Sequence, residues 1–148
     1  MGNSILVALN DSVSSRAVVD YLCNLCMQKE AVNIKLLHIF REPPAGEQFM
    51  GRRFMEDRKG RLGSVLAEAK DKLVNCGYSP EKIRAEMTRE TYPTITDGII
   101  EHFKRERFDM VVIGRKQMSK AEEFVRGDIS VKLVRALEDT AVLVIKSP

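Results

Sequence analysis

The sequence predicts an α/β fold, a single doubly wound domain with a five-stranded parallel sheet and helices on both faces. Three observations carry this. Short apolar runs alternate with stretches whose apolar residues recur every three or four positions, the pattern of strand–helix repeats. The run Asp109-Met-Val-Val-Ile-Gly114 is bounded by charge on one side and glycine on the other, as in a strand covered on both faces. A polar stretch follows it, and then a helix opening at Gly127-Asp128, where backbone N–H groups can meet an anion. A chain of 148 residues suits one domain with a core of its own, over 1–148. Right-handed crossovers leave two strand orders open, 2-1-3-4-5 and 3-2-1-4-5.

The elements follow in order. Residues 4–9 form a short apolar strand ending at Asn10-Asp11-Ser12, residue types that cap helices. The helix after it turns Ala17, Val18, Tyr21, Leu22, Leu25 and Cys26 to one face. Residues 32–40 read as the second strand. The stretch 41–60 holds Pro43-Pro44, glycines and mixed charge without a period, and predicts a flexible surface loop. A helix then resumes with Leu62, Val65, Leu66, Ala69, Leu73 and Val74, and stops at Cys76-Gly77. Ile83, Ala85 and Met87 alternate with polar residues, as an edge strand does. Tyr92-Pro93 opens a helix with Ile95, Ile99, Ile100 and Phe103 on its core face. The strand 110–113, with Gly114 as its turn, the helix 129–137 and the strand 141–145 complete the chain.

Composition narrows the function classes. A net charge of +3, dispersed along the chain, argues against a nucleic-acid partner. No apolar run reaches the 18 residues of a membrane span. The first strand begins almost at once, which leaves no room for a signal peptide, and Leu6 stands where a myristoylation motif wants Ser or Thr. The expectation is a cytoplasmic protein. Its three cysteines fit that compartment as packing residues better than as a disulfide framework. Cys23-Asn-Leu-Cys26 has redox-pair spacing but lies late in a helix, whereas stabilised thiolates sit at helix N-termini.

Val111-Val-Ile-Gly114, Gly127-Asp-Ile-Ser130 and Ala141-Val-Leu-Val-Ile145 resemble the C-terminal half of the universal stress protein family. Ile5-Leu-Val-Ala-Leu-Asn-Asp-Ser12 and Leu36-Leu-His-Ile39 resemble its first two strands, so the likeness runs the length of the chain. The resemblance implies an adenine nucleotide alpha hydrolase-like fold and selects the order 3-2-1-4-5. The winding then reverses between strands 1 and 4, where ligands of open α/β sheets bind, and Asn10 and Gly114 arrive there. It further implies an adenine nucleotide, with Mg²⁺, held by Leu9, Asn10, Ile39, Ile113, Gly114, Gln117, Gly127, Asp128, Ile129 and Ser130. It also implies a homodimer through the strand 141–145.

Two positions depart from the family's G-x2-G-x9-G-[S/T] loop: Gln117 stands for glycine and Asp128 for the hydroxyl residue. Gln117 adds a side chain where the backbone or a phosphate would want space. Asp128 suits the cap of the last helix and repels phosphate. Asn10 replaces the family's acidic residue and reads equally as a helix-flanking cap. The expected function is therefore a stress-response binding and regulatory module with weak or lost ATP binding. The alternative is an AMP-, ADP- or ATP-binding member using the loop 114–130, with slow ATP hydrolysis. Catalysis has little to stand on: Ser12, Ser14 and Ser15 lack an evident base, and His38 reads as a core or strand-end residue. No metal-ligand cluster is evident.

Overall fold

The computed structural model describes residues 3–10, 13–40, 51–88, 90–116, 120–121 and 129–147, with the backbone alone for 51–56. In order these form β1 (Ser4–Ala8), α1 (Val13–Asn24), β2 (Asn33–His38), α2 (Gly51–Asn75), β3 (Ile83–Met87), α3 (Ile95–Arg105), β4 (Met110–Lys116), α4 (Ile129–Ala136) and β5 (Ala141–Ser147). The sheet is wholly parallel in the order β3-β2-β1-β4-β5. This is the doubly wound architecture and strand order expected above. β1 is central, with Ile5 opposite both Ile34 and Met110.

The apolar runs explain that placement. Ile5, Leu6 and Val7 are buried on both faces, as are Leu36 and Leu37 of β2 and Val111 and Val112 of β4. One face packs under α1 and α2, where Val18, Leu22, Leu66 and Leu73 meet Ile5, Val7 and Leu36. The other packs under α3 and α4, where Ile99, Phe103 and Leu133 meet Leu6, Leu37 and Val111. β3 buries Ile83 but leaves Arg84, Ala85 and Glu86 exposed, as an outer strand should. α3 starts from a cap that the sequence reading missed: the Asp97 N–H donates to Thr94 Oγ1 at 3.1 Å. Tyr21, read as a core residue of α1, is instead exposed.

Three further expectations are corrected. The loop reading of 41–60 fails over its second half, because α2 begins at Gly51; residues 41–50 lie outside the described residues. Arg52, Arg53, Met55, Glu56 and Lys59 are good helix formers, and extending an anchored helix is far easier than nucleating one. Gly60 and Gly63 interrupt only propensity. Secondly, β4 runs on through Gly114, Arg115 and Lys116, which pair with Ile145, Lys146 and Ser147. Gly114 is a strand residue and not a turn.

Thirdly, the cysteines are not all packing residues: Cys23 and Cys76 form a disulfide across 53 positions, with Cα atoms 5.4 Å apart. It ties the last turn of α1 to the residue after α2. Lys29 Nζ donates to both carbonyl oxygens, at 2.7 Å to Cys23 and 3.0 Å to Cys76. The Tyr78 hydroxyl donates to Leu22 O at 2.7 Å, and Gly77 makes the turn between Cys76 and Tyr78 at φ +112°.

Candidate functional site

The reversal of winding between β1 and β4 opens a cleft at the C-terminal ends of the strands. β1 brings Ala8 and leads to Leu9 and Asn10, β2 brings Leu37 and His38 and leads to Ile39, and β4 brings Ile113 and Gly114. The starts of three helices close it with Ser14 and Ser15, Ile95, and Ile129. Thus Leu9, Asn10, Ile39, Ile113, Gly114 and Ile129 line one cavity. Ser130 lies on the first turn of α4 but does not line the cavity. Gln117, Gly127 and Asp128 lie outside the described residues.

Close packing sets the shape of the cleft. A Cβ on Gly114 would stand 2.7 Å from Ser14 O, so the absent side chain is what lets the start of α1 rest against β4. The same holds across the cleft, where a Cβ on Gly98 of α3 would meet Ile39 Cγ2 at 2.5 Å. Ile39 is thereby buried by its side chain, just beyond the end of β2. The Leu9 N–H donates to Leu37 O at 2.8 Å, carrying the β1–β2 pairing one residue past the strand.

The polar lining is wired internally. The Asn10 N–H donates to Ser15 Oγ at 2.8 Å, and that hydroxyl donates back to Asn10 Oδ1 at 2.9 Å. Asn10 is therefore oriented by the buried Ser15, and both alternatives for it, helix-flanking anchor and cleft residue, describe the same position. His38 Nδ1 lies 2.8 Å from Leu9 O. A carbonyl only accepts, so the ring proton sits on Nδ1. Ser15 and His38 are cleft residues that the sequence reading noticed and set aside; their signal was their place next to Asn10 and at the end of β2.

No carboxylate, guanidinium or ammonium lines the cleft among the described residues. The volume they enclose is about 50 Å³, below the ~300–1,000 Å³ of a pocket that swallows a ligand. A groove of about 280 Å³ continues from Asn10 and Ser15 between α1 and α2, edged by Arg16, Asp20, Glu68 and Lys72. Among the described residues no group of three or more His, Cys, Asp or Glu could hold a metal ion, and no helix is long and apolar enough to cross a membrane.

Comparison with known proteins agrees with the fold. Residues 1–146 match the model of the Universal stress protein family. The chain belongs to the universal stress protein family. Among curated relatives, Universal stress protein YxiE of Bacillus subtilis (strain 168) is 25% identical over 158 residues, covering 99% of this chain and all of the relative. Among solved structures, the universal stress protein UspA from Lactobacillus plantarum superposes with a TM-score of 0.71 at 15% identity, over 97% of each chain. A universal stress protein solved in complex with cAMP superposes with a TM-score of 0.65 at 18% identity, over 97% of this chain and 95% of the other. At such identities these two likenesses speak for the fold alone, and this universal stress protein shares it from end to end.

Proposed function

We propose that this universal stress protein is a cytoplasmic stress-response module that acts by binding, and that its cleft takes an adenine nucleotide with low affinity for the triphosphate. The observation that carries the reading is the cleft at the β1–β4 switch point, where Leu9, Asn10, Ile39, Gly114 and Ile129 meet and whose lining is uncharged among the described residues. Apolar walls with a few oriented polar atoms suit a base and ribose. The solved relative that holds cAMP supports an adenine ligand in this fold.

Polyphosphate is less well served. Gln117 and Asp128 stand where the family pattern has glycine and a hydroxyl residue. A helix N-terminus attracts an anion by about 0.3–1 kcal/mol, while a carboxylate about 4 Å from phosphate repels it by about 1–4 kcal/mol. The balance disfavours ATP. Mg²⁺ would arrive with the phosphates and be held chiefly by them and by water.

Titration calorimetry with ATP, AMP and cyclic AMP tests this. We expect ATP to bind the natural chain more weakly than about 100 μM. The double variant Gln117→Gly, Asp128→Ser should bind it about thirtyfold more tightly, the equivalent of ~2 kcal/mol. Micromolar ATP affinity in the natural chain, or no gain in the double variant, would overturn the reading.

A further inference from the structure

The corner where α1 and α2 end gathers all three cysteines of the chain. Cys23 and Cys76 are bonded to each other and both are only half-buried, so the crosslink reaches solvent. Cys26 follows Cys23 by three residues, beyond the end of α1, and is an exposed thiol. Lys29 sets its ammonium against the carbonyl oxygens of both bonded cysteines and over the Tyr78 ring. An accessible thiol three residues from a half-buried disulfide, and a cation held on the main chain of both bonded cysteines, are groups that favour thiol–disulfide exchange.

We propose that this corner is a thiol–disulfide exchange site, with Cys26 as the attacking thiol and a dithiol reductant as its co-substrate. Cys26 gives its proton to solvent and its sulfur attacks Cys23 Sγ. The Cys23–Cys26 bond forms as the Cys23–Cys76 bond breaks, and Cys76 leaves as a thiolate on the residue whose carbonyl Lys29 holds. That step moves no net electrons. The dithiol then reduces the Cys23–Cys26 bond in two exchanges; it is oxidised to its own disulfide and leaves three thiols on the protein. A disulfide oxidant reverses the sequence. Cys26 lies outside α1, exposed between Leu25 and Met27, which pack against the core.

The exchange has a structural consequence. Once Cys76 is released, the end of α2 is no longer tied to α1. The nearby Lys72–Asp20 ion pair is exposed on both sides and holds little. The groove between these helices, which begins at Asn10 and Ser15 and includes Arg16 and Lys72, is then free to widen. In a reducing compartment a bond of this kind is transient and responsive, and not a permanent staple. The inference stands on the corner alone and needs no nucleotide.

Partial reduction with dithiothreitol, acid quench, alkylation and non-reducing trypsin digestion test it. Peptides 17–29 and 73–82 should be joined in the oxidised protein. At early times 17–29 should carry an internal crosslink while Cys76 is already alkylated. Cys26→Ser should slow release of Cys76 at least tenfold. Lys29→Met should slow alkylation of the freed Cys76 severalfold, and Lys29→Arg should restore it. Release of Cys76 at the natural rate in Cys26→Ser, or peptides that never join after mild oxidation with oxidised glutathione, would overturn the proposal.

Discussion

Gly114 lines the cleft and Gly98 packs against its wall at Ile39, yet a methyl group at each would meet a different kind of neighbour. At Gly114 the obstacle is the Ser14 main chain, at 2.7 Å to its oxygen and 2.9 Å to its carbon. Backbone cannot rotate away, so Gly114→Ala should displace the start of α1 and destabilise by about 1–3 kcal/mol in urea unfolding. At Gly98 the obstacle is the buried, β-branched Ile39 side chain, at 2.5 Å to Cγ2 and 3.1 Å to Cγ1, so Gly98→Ala should also destabilise, here by pushing the cleft wall. Tyr78 offers a third test. Its buried ring donates a hydroxyl hydrogen bond to Leu22 O, and Tyr78→Phe should cost about 1–2 kcal/mol. Burial raises the Tyr78 phenol above its ordinary value of 10.0, and burial raises that of Tyr92 as well. Such a group contributes stability that is complete below the unfolded value and is lost as pH climbs through the folded one. Stability should therefore fall above about pH 10, and Tyr78→Phe should flatten part of that limb; an unchanged alkaline limb would count against the assignment.

β5 is the outermost strand of the described sheet on its side, and its outer edge pairs with no other strand among the described residues. Val142, Leu143 and Val144 along it are only half-buried, and α4 exposes Val131 and Val134, at 45% and 63%. Unpaired apolar edges invite pairing, so we expect a two-fold homodimer formed along β5. Sedimentation should give twice 16.8 kDa, and Val142→Lys should return the mass to that of one chain. A natural chain that stays monomeric at tens of micromolar would exclude this interface. At the opposite side of the sheet, β3 avoids the same hazard with exposed Arg84 and Glu86.

At the scale of the whole molecule, the β3 side of the sheet carries a cluster of ion pairs. Lys35 of β2 is buried, and its ammonium lies 3.0 Å from Glu86 and 3.7 Å from Glu106. Arg84 pairs with Glu106 at 2.5 Å, and His102 Nε2 lies 3.9 Å from Glu86, so β2, β3 and α3 share one ionic network. The hydrogen bond from Lys35 holds the Glu86 carboxyl below its usual 4.5; the charges of Lys35, His102 and Arg84 add to this, and partial burial opposes it. A lowered folded value gives stability that is present above the unfolded value and lost as pH falls through the folded one. Thermal denaturation should therefore show a stability loss below about pH 4.5 that Glu86→Gln makes shallower. At neutral pH the same variant should lose about 1–2 kcal/mol, reduced because Glu86 is half exposed and Glu106 still answers Lys35. No change in the acid limb would remove Glu86 from this account.

What the sequence determined by itself was everything that repeats over a few residues. Apolar runs such as Val111-Val-Ile113 and the three-and-four spacing of Leu62, Leu66, Ala69 and Leu73 mark elements, because burial on one face leaves a local period. With the handedness of crossovers and the family likeness, that was enough for the strand order and for placing Leu9, Asn10, Ile39, Gly114 and Ile129 at one cleft. The tertiary structure decided what depends on distant partners. Ser4 donates its N–H to Asp109 Oδ2 at 2.8 Å across 105 positions, and no local pattern announces that pair. Gly114 looked like a turn because glycine has two uses, and only the position of Ser14 shows that close approach is the one in force. The helix from Gly51 and the Cys23–Cys76 bond belong with it: a weak local signal is overridden when a neighbouring turn is anchored, and two cysteines 53 residues apart meet only once α1 and α2 share a face of the sheet.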